Sequence, residues 1–176
     1  MNGRGDWMQT ATGRQFWPMD PRPHEVFIED IAHALSMICR FGGHCRRFYS
    51  VAEHSVLIAQ AAEPEHKLWA LLHDAPEAYI ADIIRPLKPS LHGYREAEIR
   101  VMRAICVRFN LHLDQPAAVK ALDRAILMDE RDQVMAAPPA PWDGDVEPLG
   151  AQLGFWNPSR AKREFLSAFK IYGGRE

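Results

Sequence analysis

From residue 27 onward the apolar residues of this chain recur at the spacing of a helix, and no segment alternates with the period of a strand. That pattern leaves little room for a sheet and predicts an all-α domain, a bundle of helices. "IEDIAHALSMICRF" is periodic up to the Gly42-Gly43 stop, with Glu29 and Asp30 complementing the helix dipole at its start. Ser50 and Glu53 have the S-x-x-E spacing of a capping box, in which each side chain bonds the other residue's backbone N–H. They open a second helix that runs to about Ala62. Pro64 suits a first helical position, and a third helix then reaches about Asp74. Pro76 opens a short turn, "PEAYIADII". Longer helices are predicted over about 94–109, 114–135 and 159–172. Two stretches lack periodicity. One is an irregular N-terminal arm carrying Trp7, Phe16 and Trp17; the other is a Pro/Gly/Trp-rich loop over 137–158.

A length of 176 residues fits one domain, 1–176, able to bury roughly two-thirds of its unfolded surface. The hydrophobic fraction of 47% and charged fraction of 25% are ordinary for a globular chain. A net charge of −2 argues against a nucleic-acid polymer as partner, because neutralising phosphates requires a basic surplus. A local basic pocket for a small anion stays compatible. Cys39, Cys45 and Cys106 form no C-x-x-C pair and are odd in number, which fits a reducing compartment. No apolar run approaches the length of a membrane span, and "MNGRGDWMQT" has no apolar signal core. The expectation is a soluble, cytoplasmic protein without a membrane partner.

Four residues stand out as a possible cation site: His54, His73, Asp74 and Asp123. Facing side chains inside helical bundles are where metal sites are built. His73 and Asp74 are adjacent, so on a regular helix they diverge by about 100° and can flank one ion only in a wedge between helices. Asp123 sits among apolar neighbours in "VKALDRAILM", where a buried, unpaired carboxylate costs several kcal/mol. A cation would remove that cost, as would an ion pair with Lys120 or Arg124. Two imidazoles and two carboxylates suit one divalent transition metal (Mn, Co, Fe or Zn) better than Mg or Ca.

"VAEHS", "LLHDAPEAYIAD" and the later "LD" together resemble the H…HD…D pattern of the HD-domain phosphohydrolases. The resemblance spans about residues 27–135 and is closest to the small 5′-deoxynucleotidase branch and its phage dATP triphosphohydrolase relatives of the DatZ type. It implies an HD-type bundle with His54, His73, Asp74 and Asp123 as ligands of one divalent metal. It places Glu77, in H-D-x-x-E, as the residue that positions or deprotonates the attacking water, with Asp82 near the water or the leaving oxygen. Arg40 and Lys88 match phosphate-binding positions, Arg85 less closely. Phe41 stands where the family often has a Trp beside the sugar, and Pro86 matches a wall of the nucleoside pocket. The activity implied is cleavage of the α-phosphate ester of a deoxynucleotide, monophosphate or triphosphate. The alternative is a catalytically silent nucleotide-binding module. By analogy with small enzymes of this kind, a homo-oligomer is expected.

Overall fold

The computed structural model describes residues 3–142 and 146–175. Helix α2 (Val51–Ala61) lies at its centre, buried on nearly every side from Val51 to Ala59. Its small residues Ala52, Ser55 and Ala59 let neighbours approach closely, and α2 accordingly touches four other helices. These are α1 (Ile28–Met37), α3 (Lys67–Leu72), α6 (Ala117–Val134) and α7 (Pro158–Ile171). A one-turn helix, α4 (Glu77–Ile80), rests against α1 and α5 (Tyr94–Arg108). The predicted all-α bundle is therefore the observed architecture. Among the described residues no helix is long and apolar enough to cross a membrane.

Three local features depart from the sequence reading. The N-terminal arm contains a small antiparallel hairpin, β1 (Met8–Gln9) with β2 (Gln15–Phe16), turned at Gly13 with φ +82°. The hairpin places Phe16, wholly buried, in a parallel stack on Tyr79 of α4, ring centroids 3.8 Å apart. Arg4 ties the arm down by ion pairs to Asp20 and Glu25 (2.6 and 2.8 Å) and lies over the Trp17 ring. Trp17 is thus occupied by the arm itself.

Secondly, α1 ends at Met37 instead of continuing to the glycines. Ile38 is extended, the Arg40 N–H donates to the Tyr49 carbonyl (3.0 Å), and the Val51 N–H donates to the Ile38 carbonyl (3.1 Å). Pairing with residues 49–51 supplies the hydrogen bonds that another helical turn would have made. Arg40 is consequently delivered by extended chain, and Phe41 after it is held at φ +55°, a strained conformation for a side chain that size.

The third departure concerns the capping box, which is only half realised. The Ser50 hydroxyl accepts the Glu53 N–H (3.1 Å), as the motif requires. The Glu53 carboxylate turns away and accepts the backbone N–H groups of Gly154, Phe155 and Trp156 (2.6, 2.9 and 2.7 Å). It thereby seats the end of the Pro/Trp-rich loop, whose residues 143–145 lie outside the described residues, before Asn157 caps α7. Replacing Glu53 by alanine leaves three N–H groups without their acceptor, an expected loss of at least about 3 kcal/mol at some 1–3 kcal/mol for each unsatisfied donor. Urea unfolding checks this; a midpoint equal to wild type would contradict it.

Candidate metal centre

Each functional side chain reaches the centre from a different segment. His54 comes from the first turn of α2, wholly buried. His73 and Asp74 follow α3, where Pro76 lacks an N–H and the chain tightens into i→i−3 hydrogen bonds, Ala75 to Leu72 and Glu77 to Asp74. His73 itself keeps helical dihedrals (φ −61°, ψ −35°), and its Nε2 nevertheless stands 3.2 Å from Asp74 Oδ2. Asp123 projects from the second turn of α6. Its side chain is 40% exposed, so it sits at the mouth of the site and not in the apolar interior its neighbours suggested.

The donor atoms meet at one place. His54 Nε2 lies 3.3 Å from His73 Nε2, 3.5 Å from Asp74 Oδ2 and 3.3 Å from Asp123 Oδ1. His73 Nε2 lies 3.2 Å from Asp74 Oδ2 and 3.8 Å from Asp123 Oδ1. Donors bound at about 2.1 Å around one ion stand roughly 3–3.5 Å apart, so the spacing fits a metal. The tautomers argue the same way. His73 Nδ1 must donate to the Ala70 carbonyl (2.7 Å), and His54 Nδ1 lies 2.6 Å from a Glu130 carboxylate oxygen. In the neutral imidazoles these bonds leave the lone pair on each Nε2, facing the two carboxylate oxygens. Groups so arranged need positive charge among them, supplied by protons on the imidazoles or by a metal ion. His54, His73 and Asp123 thus form a group that could hold a metal ion, with Asp74 beside them.

Electrostatics show what balances this cluster when only protons are available. Burial and Arg40 act to lower the His54 pKa, but Glu130, Asp123 and Asp74 outweigh them and hold it well above the ordinary histidine value. Burial also opposes charge on His73, where Asp74 and Asp123 prevail and raise it. Burial would raise Asp74, yet His73 and His54 hold it well below the usual carboxylate range. Protons on the imidazoles occupy the place of an ion, so the two compete.

A pH dependence follows for ion-free protein. The raised imidazole pKa values contribute stability that is complete below about 6.5, the unfolded value, and is lost as pH rises through the folded values. The unfolding temperature of chelator-treated protein is expected to fall above about pH 6.5, and added Mn²⁺ to reverse the fall increasingly as pH rises. A pH-independent unfolding temperature would contradict the competition.

Around this centre stand other expected residues. Glu77 is buried beside Asp74, and one of its carboxylate oxygens has no hydrogen-bond partner. Burial, Asp74 and Asp82 push its pKa well above the carboxylate range. Asp82 is itself raised, chiefly by burial, and follows Ala81, which is held at φ +65° and ψ 157° in a region otherwise left to glycine. Lys88 Nζ lies 3.7 Å from Glu77 and 3.3 Å from Glu98. Arg40 Nη1 lies 3.6 Å from Asp74, and its guanidinium stands 5.5 Å from the Phe41 ring. Arg85 and Pro86 are exposed on the turn before Lys88, and the structure does not bring them to the cluster.

Glu130 and Tyr49 were not singled out in the sequence. Glu130 is wholly buried and accepts from His54, Tyr49 (2.9 Å) and Arg40 (2.9 Å). The available signal was its place seven residues after Asp123, two helical turns along the same face of α6. The centre opens into a cleft of about 290 Å³, lined by His73, Asp74, Glu77 and Asp123 on one side. Trp69, Pro76, Ile99, Met102 and Leu113 form its apolar walls, with Glu98 and Gln115 as further polar groups.

A helical bundle with this His/Asp group defines the class: an all-α protein with a candidate metal centre. Two curated relatives place the chain. The uncharacterized protein YfdR of Escherichia coli K12 is 39% identical over 125 residues, 71% of this chain and 70% of YfdR. The uncharacterized protein RCAP_rcc00048 of Rhodobacter capsulatus is 38% identical over 142 residues, covering 73% of this chain and 72% of its own length. The chain belongs to the family of these two proteins. No family model matches it.

Proposed function

We propose that this chain is a metal-dependent phosphohydrolase of the HD-domain type that cleaves the phosphate ester of a deoxynucleotide. The observation that carries this reading is the meeting of His54 Nε2 and His73 Nε2, 3.3 Å apart, with an oxygen each of Asp74 and Asp123 3.2–3.8 Å from them and buried Glu77 alongside. His54, His73, Asp74 and Asp123 would hold the ion. When bound, a divalent ion there supplies charge to the phosphoryl oxygens and lowers the pKa of a water.

The remaining chemistry belongs to the chain. Arg40 and Lys88 flank the cluster from two loops and receive the phosphate. Water attacks phosphorus in line with the ester oxygen, and Glu77 or Asp82 takes its proton. As the P–O bond breaks, the leaving oxygen is protonated from the same acidic pair, giving nucleoside and phosphate. The cleft beside Asp74 and Glu77 receives the nucleoside against its apolar wall of Trp69, Ile99, Met102 and Leu113.

Charge favours a single phosphate. Arg40 is paired with Glu130 and Asp74, Lys88 with Glu98 and Glu77, and the cleft lining named above contains no lysine or arginine. A triphosphate tail would meet carboxylates already holding those cations. Phosphorus NMR of the Mn²⁺- or Co²⁺-loaded protein with mixed dNMPs, then dNTPs, tests this. Inorganic phosphate from the monophosphates is expected. Intact triphosphate released from dNTPs would overturn the single-phosphate preference, and nucleotide binding without turnover would favour the silent module.

A further inference from the structure

We infer that Glu130 is a positioning residue that ties the ion site to the anion-holding guanidinium, so that one carboxylate orients both His54 and Arg40. The inference rests on the ion site proposed above and goes beyond it, because Glu130 is neither among the proposed ligands nor in the cleft lining.

The geometry is specific. Oε1 of Glu130 lies 2.6 Å from His54 Nδ1 and accepts the Tyr49 hydroxyl at 2.9 Å; Oε2 accepts Arg40 Nη2 at 2.9 Å. These donors belong to segments 76, 81 and 90 residues away in sequence. A wholly buried carboxylate is tolerated when such donors satisfy it, and breaking a set like this is expensive. His54 Nδ1–H pointing to Oε1 leaves Nε2 as the lone pair aimed at the other three ligands. Arg40 held on Oε2 keeps Nη1 turned toward Asp74. Rotation of this one carboxylate would disturb both groups at once, so the histidine tautomer and the guanidinium position are set together.

Glutamine cannot serve both. If its carbonyl faces His54, its NH₂ confronts the Arg40 guanidinium, donor against donor. If it is flipped, the NH₂ faces His54 Nδ1, which must then accept, and the imidazole proton moves to Nε2 in the ion site. Tyr49→Phe removes one donor from Oε1 and spares both branches.

The test is Co²⁺ affinity by visible absorption, then inorganic phosphate affinity at saturating Co²⁺. In Glu130→Gln, Co²⁺ affinity is expected to fall about 10–100-fold, the usual scale for a group orienting a metal-binding histidine. Phosphate affinity is expected to fall by about tenfold, equivalent to one charge-assisted hydrogen bond. Tyr49→Phe is expected to stay within about threefold of wild type for both. If Glu130→Gln binds Co²⁺ and phosphate as wild type does and loses only thermal stability, Glu130 is merely structural and the inference is overturned. Should Glu130→Gln not fold, nitrogen-15 NMR of Zn²⁺-loaded wild type carries the test. His54 protonated at Nδ1 and metal-bound at Nε2 supports the inference, and the reverse assignment overturns it. Wild type that binds neither metal removes the ion site itself, a failure distinct from normal binding by the variant.

Discussion

Asp74→Ala is expected to abolish ion binding and to lower turnover of a deoxynucleotide by at least ~10³-fold, since several kcal/mol of transition-state stabilisation depend on the ion. Asp74 Oδ2 stands 3.2–3.5 Å from both Nε2 atoms and 3.6 Å from Arg40, so its loss opens the cluster and leaves the guanidinium with Glu130 alone. The two imidazoles also lose a carboxylate that raises their pKa, and they would bind protons less well in ion-free protein. Metal analysis after gel filtration, together with a phosphate-release assay, checks both parts. A stoichiometric ion retained in the variant would take Asp74 out of the ligand set.

Glu77→Gln is expected to separate chemistry from binding. The Glu77 carboxylate is not among the proposed ligands, so the ion is expected to stay bound while kcat falls by roughly 10²–10⁴-fold, the scale of a lost general base or acid. The wild-type carboxylate carries an unpaired oxygen in a buried place, between two other acids, an arrangement a protein keeps for function at the expense of stability. Removing that repulsion is expected to leave the unfolding temperature equal or higher. Calorimetric metal titration, thermal unfolding and steady-state rates on one preparation decide it. A loss of metal binding in step with activity would make Glu77 part of the ion site, and unchanged kcat would exclude it from the reaction.

The helices themselves were legible because their apolar residues and stops are local signals. Ser50 begins α2 as a cap, Pro116 immediately precedes α6 and Pro158 begins α7, each within a residue or two of the predicted start. The convergence of His54, His73, Asp74 and Asp123 was legible through a motif and not through spacing. Helical spacing puts adjacent His73 and Asp74 about 100° apart, and periodicity does not carry the side-chain placement that brings His73 Nε2 within 3.2 Å of Asp74 Oδ2. The true end of α1 was hidden for a similar reason: residues 38–40 leave the helix to pair with 49–51, and a helical pattern in "SMICRF" cannot reveal a partner ten residues on. Glu130 lay concealed in "MDERDQVM", a charged run that reads as a solvated helix end. Its burial is created by Arg40, Tyr49 and His54 arriving from elsewhere.

The cluster has its exposed side at Asp123 and its buried side on α2. His54 and Glu53 are consecutive on α2; one faces the ion site, and the other fixes the loop that leads into α7. Phe41 directly follows Arg40 and Ala81 directly precedes Asp82, so positive-φ backbone lies on both loops that carry these two side chains.

Anomalous diffraction from crystals soaked in Co²⁺, measured at the cobalt edge, tests the central claim most directly. The expected result is one peak per chain at bonding distance, about 2.1 Å, from His54 Nε2, His73 Nε2 and a carboxylate oxygen each of Asp74 and Asp123. A map with no peak between those four side chains, or with the ion seated elsewhere, would contradict the metal-dependent account.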